Sequence, residues 1–160
     1  MKKKLKIINI VLAIVLALLI GTYCVLRFGF SKDIFDRSGW STEDGAVRYL
    51  DYYGRPCLGW QYVDGKLYYF TADEGIMATG WAEIDGSRYY FGTEGVRLAG
   101  WQEINGETYY LQQDGKQVTG WQQVQGETFY FTETGAMATG WAEIDGNRHY
   151  FSPEGKALTC

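Results

Sequence analysis

Proline is nearly absent and cysteine is scarce: the chain has 2 Pro, 3 Cys and 1 His in 160 residues. The cysteines, Cys24, Cys57 and Cys160, form no Cys-x-x-Cys pair and no Cys/His cluster, which excludes zinc sites and thioredoxin-like chemistry. A Cys57–Cys160 disulfide is not readable from sequence. Cys160 is read as a free thiol, with an intermolecular bridge as the alternative. The single histidine, His149, has no Ser/His/Asp set around it, and the chain carries no phosphate-binding glycine loop. The chain is therefore read as no enzyme, with no catalytic residues, no metal and no cofactor. Basic charge is also missing from most of its length. Residues 1–38 hold seven Lys/Arg and two acids, net +5, whereas 39–160 hold 8 basic and 17 acidic residues, net −9. A region that acidic does not suit nucleic acid, because polyanions need clustered Lys/Arg.

What is present starts with an apolar run. Residues 7–26 carry no charge and follow four lysines. At about 1.5 Å per residue they would make a helix of about 30 Å, the thickness of a bilayer core. The positive-inside rule then places everything after Arg27 outside the cytoplasm. A cleaved signal peptide is the competing reading. The uncleaved anchor is favoured because the run exceeds the usual core of about 7–15 residues and no small-x-small site follows it. The expected organisation is an anchor in residues 1–27, a linker in 28–38 and a repeat region in 39–160.

The repeat region carries Gly-Trp six times, with tryptophans at 40, 60, 81, 101, 121 and 141, spaced by 20, 21, 20, 20 and 20. Five residues after each tryptophan stands Gly, and nine after stands Tyr. Fourteen after stands another Gly, displaced to Gly75 by one extra loop residue in the second copy. Asp-Gly, Asn-Gly or Gln-Gly between short apolar runs predicts a hairpin with a type I′ turn, whose two central residues need positive φ. In the third copy the strands fall at about 81–84 and 87–91. The turn sets the register Ile84–Ser87, Glu83–Arg88, Ala82–Tyr89 and Trp81–Tyr90. Alternation puts Ile84, Tyr89 and Phe91 on an inner face and Trp81, Glu83, Arg88 and Tyr90 on an outer one. Glu83–Arg88 and Glu143–Arg148 are read as cross-strand ion pairs of about 0.2–1 kcal/mol. A lone hairpin is unstable in water, so stacking into a β-solenoid is expected. The first copy has Glu43 and Arg48 at inner positions and reads as a degenerate cap. His149 takes an inner aromatic slot and reads as a packed histidine. The fold class is all-β: a β-solenoid of hairpin repeats of about 20 residues, preceded by one N-terminal transmembrane helix.

The pattern Gly-Trp-x4-Gly-x-x-Tyr-Tyr-Phe-x3-Gly-x-Met-x-Thr-Gly-Trp, most literal in 80–91 and 126–141, resembles the cell-wall-binding (choline-binding) repeat family of Gram-positive bacteria. The resemblance implies an extracellular β-solenoid that attaches to cell-wall polymers or glucans. One position departs. Two residues after the turn glycine, where choline-binding members usually carry an aromatic that completes a cage, stand Leu67, Arg88, Thr108, Thr128 and Arg148. The form is therefore closer to the glucan- and toxin-type repeats.

The expected function is noncatalytic binding of a cell-wall polysaccharide or glucan, with choline or teichoic acid as the alternative. The stacking platforms would be Trp60, Trp81, Trp101, Trp121 and Trp141, with Tyr69, Tyr90, Tyr110, Tyr130 and Tyr150 beside them. Such flat amphipathic pairs suit sugar rings and cations. Two other readings are a stalk or protein-interaction surface without a glycan ligand, and an accessory module for a wall hydrolase.

Overall fold

A computed structural model describes residues 37–158. The expected transmembrane segment 7–26, with Cys24 and Cys160, lies outside the described residues. Among the described residues there is no helix long and apolar enough to cross a membrane. They form two compact units divided between Cys57 and Leu58.

In the first unit, β1 (Gly39–Glu43) pairs antiparallel with β2 (Ala46–Leu50), Trp40 opposite Tyr49. None of the ten strand residues is fully buried. Glu43 is exposed and Arg48 half-buried, so the inner face of this copy is wetter, as its composition implied. The chain then turns at Asp51, whose carboxylate accepts from the Tyr53 and Arg55 amides, both at 2.9 Å, and from Arg55 Nε at 2.8 Å.

The second unit contains five hairpins: β3 (Gly59–Val63) with β4 (Lys66–Phe70), β5 (Gly80–Ile84) with β6 (Ser87–Phe91), and β7 (Gly100–Ile104) with β8 (Glu107–Leu111). After them come β9 (Gly120–Val124) with β10 (Glu127–Phe131), and β11 (Gly140–Ile144) with β12 (Asn147–Phe151). The turns are of the expected type: Asp64, Asp85, Asn105, Gln125 and Asp145 have φ of 49–54°, each followed by a glycine at positive φ. The register of the third copy matches expectation pair by pair. The extra residue of the second copy is taken up in its loop. There Gly75 donates back to Thr71, four residues away, where Gly95 donates to Gly92, three away.

The loop after each hairpin does more than the sequence foretold. Its residue Arg97, Gln117 or Met137 bridges antiparallel to the end of its own hairpin. The same residue's amide donates to the second strand of the hairpin before: Arg97 to Leu67 (2.8 Å), Gln117 to Arg88 (2.8 Å), Met137 to Thr108 (2.7 Å). At the last hairpin this stretch becomes β13 (Ala157–Leu158), paired with β12. Backbone bonds thus tie the third, fourth and fifth hairpins each to its predecessor, and side chains reinforce the seams of the second unit. A Cβ at Gly95 would collide with the Met77 thioether, and one at Gly155 with that of Met137, while both glycines hold φ near +80°. Glycine is needed there for conformation and for space.

The core is a string of small clusters rather than one mass. Ile84, Tyr89 and Phe91 pack with Trp60 and Tyr69 of the preceding hairpin. Val118, Val124, Phe129 and Phe131 pack with Tyr110 and Met137. Phe70, Phe91, Leu111, Phe131 and Phe151 have no exposed surface. Burying each such side chain stabilises by about 1.5–3 kcal/mol. Polar residues on the inner side of the first strands are satisfied locally: Gln61, Gln102 and Gln122 donate to the carbonyls of Leu58, Ala99 and Thr119 at 2.8–3.0 Å.

Candidate ligand-binding clefts

Each expected Trp/Tyr pair forms across its hairpin. Ring centroids lie 5.1 Å apart for Trp60–Tyr69, 4.9 Å for Trp81–Tyr90, 4.9 Å for Trp101–Tyr110, 5.1 Å for Trp121–Tyr130 and 5.0 Å for Trp141–Tyr150. The planes cross at 57–69°. The pair is therefore a corner and not the flat platform that side-by-side placement suggested.

Four of these indoles also reach the next hairpin. Trp60 meets Tyr89 at 5.0 Å, Trp81 meets Tyr109 at 4.9 Å, Trp101 meets Phe129 at 4.9 Å, and Trp121 meets His149 at 5.0 Å. These edge-to-face contacts are favoured by the ring quadrupoles. These four tryptophans bridge two hairpins, and part of the indole surface stays exposed, 37% at Trp101 and 41% at Trp121, while Trp141, on the last hairpin, is 62% exposed. His149 is half-buried in its aromatic slot, as a packed histidine should be.

Two clefts open along this line. One, of about 350 Å³, is lined by Trp101, Thr108, Phe129, Met137, Glu154 and Lys156. Its walls come from three successive hairpins: the first two residues from the fourth copy, the next two from the fifth, the last two from the loop of the sixth. Lys156 is paired with Glu127 at 3.0 Å. A hydrogen bond from Ser152 holds the Glu154 carboxyl below its ordinary range, so Glu154 brings negative charge to the rim. The other cleft, of about 450 Å³, lies at Trp121, Thr128, Trp141, Arg148, His149 and Tyr150, with Ala157 and Leu158 at its end.

Of the cleft linings, sequence reasoning named the tryptophans and singled out the position of Thr108 and Thr128, but not Phe129, Met137 or Glu154. Phe129, Met137 and Glu154 carry no binding mark of their own, because the offset between stacked copies is not written within any single copy. The proposed cross-strand ion pairs are corrected by the structure. Glu83 faces Arg88 and Glu143 faces Arg148 in register. The guanidinium groups nevertheless lie over the indoles, Arg88 at 4.4 Å from the Trp81 centroid and Arg148 at 4.7 Å from that of Trp141. Among the described residues, ion pairs form at Arg55–Asp51, Lys116–Asp114 and Lys156–Glu127. For an exposed guanidinium, an indole face offers about 0.5–1 kcal/mol, at least as much as a carboxylate that water screens.

Among the described residues no group of three His, Cys, Asp or Glu side chains could hold a metal. Cys57 is a half-buried free thiol whose burial raises its pKa, which keeps it protonated and poorly nucleophilic.

Tandem hairpins with a tryptophan at every seam define a class, and the chain belongs to the choline-binding repeat family, whose model matches residues 57–98, 98–139 and 118–159. Among solved structures it resembles choline binding protein F of Streptococcus pneumoniae, crystallised in the presence of a peptidoglycan analogue. That likeness has 36% identity and a TM-score of 0.72, and covers 76% of this chain and 41% of that one. CbpJ of S. pneumoniae TIGR4 is similar at 35% identity and TM-score 0.71, over 76% of this chain and 42% of that one. A cell-wall endolysin of phage Cp-1, complexed with choline, shares the fold at 23% identity and TM-score 0.53, over 78% of this chain and 38% of that one. The chain thus spans about two fifths of these proteins' length. No curated protein matches it.

Proposed function

We propose that the chain is a noncatalytic attachment protein of the cell surface, which holds a cell-wall polymer at the tryptophan seams of its second unit. The observation that carries this reading is the Trp101 cleft. Trp101, Phe129 and Met137 give it apolar walls, and ionised Glu154 stands at its rim. That lining suits a methylated ammonium group such as choline, with methyls against rings and thioether and the charge toward indole and carboxylate. The guanidinium groups resting on Trp81 and Trp141 support it, since those indole faces already seat cations. Membership of the choline-binding repeat family and the likeness to choline binding protein F point the same way.

Carbohydrate, the ligand expected from sequence, is the second reading. Thr108 and Thr128, one in each open cleft, offer hydroxyls to a sugar rim while the indoles offer faces to its ring. Export and tethering through residues 7–26 belong to the same proposal. The test is retention of the purified full chain on Gram-positive cell walls. Elution by millimolar choline and not by soluble glucan supports the first reading, and the reverse supports the second. No retention sinks both and leaves a stalk or protein-interaction role.

A further inference from the structure

The position seven residues after each tryptophan is Leu67, Arg88, Thr108, Thr128 and Arg148 along the second unit. Where it is threonine, a cleft stands open beside the indole. Where it is arginine, the side chain folds back and its guanidinium covers the indole face of its own hairpin. Arg88 is held there from a second direction, because its Nη1 donates to the Thr134 carbonyl at 3.4 Å. Thr134 sits in the loop two hairpins further on, thirteen residues after its tryptophan. Glu154 occupies the same repeat position at the rim of the Trp101 cleft. The Trp81 seam therefore has the same construction as the Trp101 seam, with a cation of the protein's own lying on the ring.

We propose that Arg88 is an internal occupant that closes the Trp81 seam to external cations, so that the array's binding capacity is set residue by residue at this one repeat position. Arg148 also lies on the face of Trp141, but there the cleft at Trp121 and Thr128 reaches past both side chains and stays open. The guanidinium excludes a ligand cation twice, by filling the space over the indole and by like-charge repulsion at contact distance. Thr108 and Thr128 do neither. This inference rests on the reading that the open seams take an ammonium ligand, and the two can fail separately.

The test uses choline chloride as probe and the full chain, with site number measured by calorimetry. Arg88→Thr installs the residue that the next two hairpins already carry. It is expected to raise the number of choline sites by one, and Trp81→Ala in that background is expected to remove the added site. In the unaltered protein, choline is expected to shift the indole N–H resonance of Trp101 and leave that of Trp81 in place. This second measurement needs no variant to fold. If Arg88→Thr, with unchanged circular dichroism, binds the same number of cholines as the parent, the inference is overturned, and a choline-induced shift at Trp81 in the parent overturns it equally. If the parent binds no choline but Arg88→Thr binds one at Trp81, the inference stands and the ammonium reading of the open seams falls. If neither binds, both fall.

Discussion

Gln125 is the residue whose type fits its backbone least well. It sits at φ 54°, in a turn position that the equivalent copies fill with Asp or Asn. Left-handed backbone costs an ordinary side chain about 1–2 kcal/mol, and asparagine recovers part of that by local hydrogen bonding. Gln125→Asn should therefore stabilise the protein by about 0.5–1 kcal/mol, read as a rise in the denaturation midpoint with an unchanged slope. In the first unit, Asp51 shows how a surface turn is held by charge. The Arg55 side chain, and then backbone amides, pull its carboxyl below the ordinary aspartate range. A carboxyl lowered in the folded state contributes stability at pH above its unfolded pKa and loses it as pH falls through the folded value. Carbon-13 titration should place the Asp51 midpoint below that of a free aspartate, and Arg55→Ala should move it back up.

Within a hairpin, almost everything was legible in the sequence. The Asp-Gly and Asn-Gly turns fix the pairing, and the pairing fixes which residues turn inward, so Ile84, Tyr89 and Phe91 could be placed before any coordinates. Between hairpins little was legible. The repeat length says that copies stack, but not that Trp101 lands on Phe129 and Phe131 of the following copy. Arg88 was misjudged for a related reason: facing residues across two strands were weighed, while the wide, electron-rich indole beside it was not. The stacking has an energetic consequence at this scale. Phe131 is fully buried and touches both Trp101 and Tyr110 across the seam. Phe131→Ala should cost about 3–5 kcal/mol. Because contacts run between neighbours, amide exchange should accelerate most in β7 to β10 and least in β3 and β4.

At the scale of the whole molecule, the proposed function makes wall retention depend on how many seams are engaged at once. A polymer carrying many ligand groups that bridges the Trp101 and Trp121 clefts gains from effective concentration what each weak site lacks. Replacing both tryptophans with alanine should lower wall retention at least 10²-fold, by more than the product of the single effects. Equal retention by the double variant would remove the clefts from the mechanism. The interlock described above, in which a side chain such as Met77 lies over the glycine of the succeeding turn, bears on how such a gene can change. Every joint within the second unit uses the same pair of positions, so duplication or loss of a 20-residue block there recreates a joint of the existing kind at the new junction. Its companion effect is on ligand capacity. Because the Trp101 pocket draws on three consecutive blocks, removing the fourth would set Arg88 and Trp81 against Phe129, and lengthening or shortening the gene would reassort the walls of its pockets.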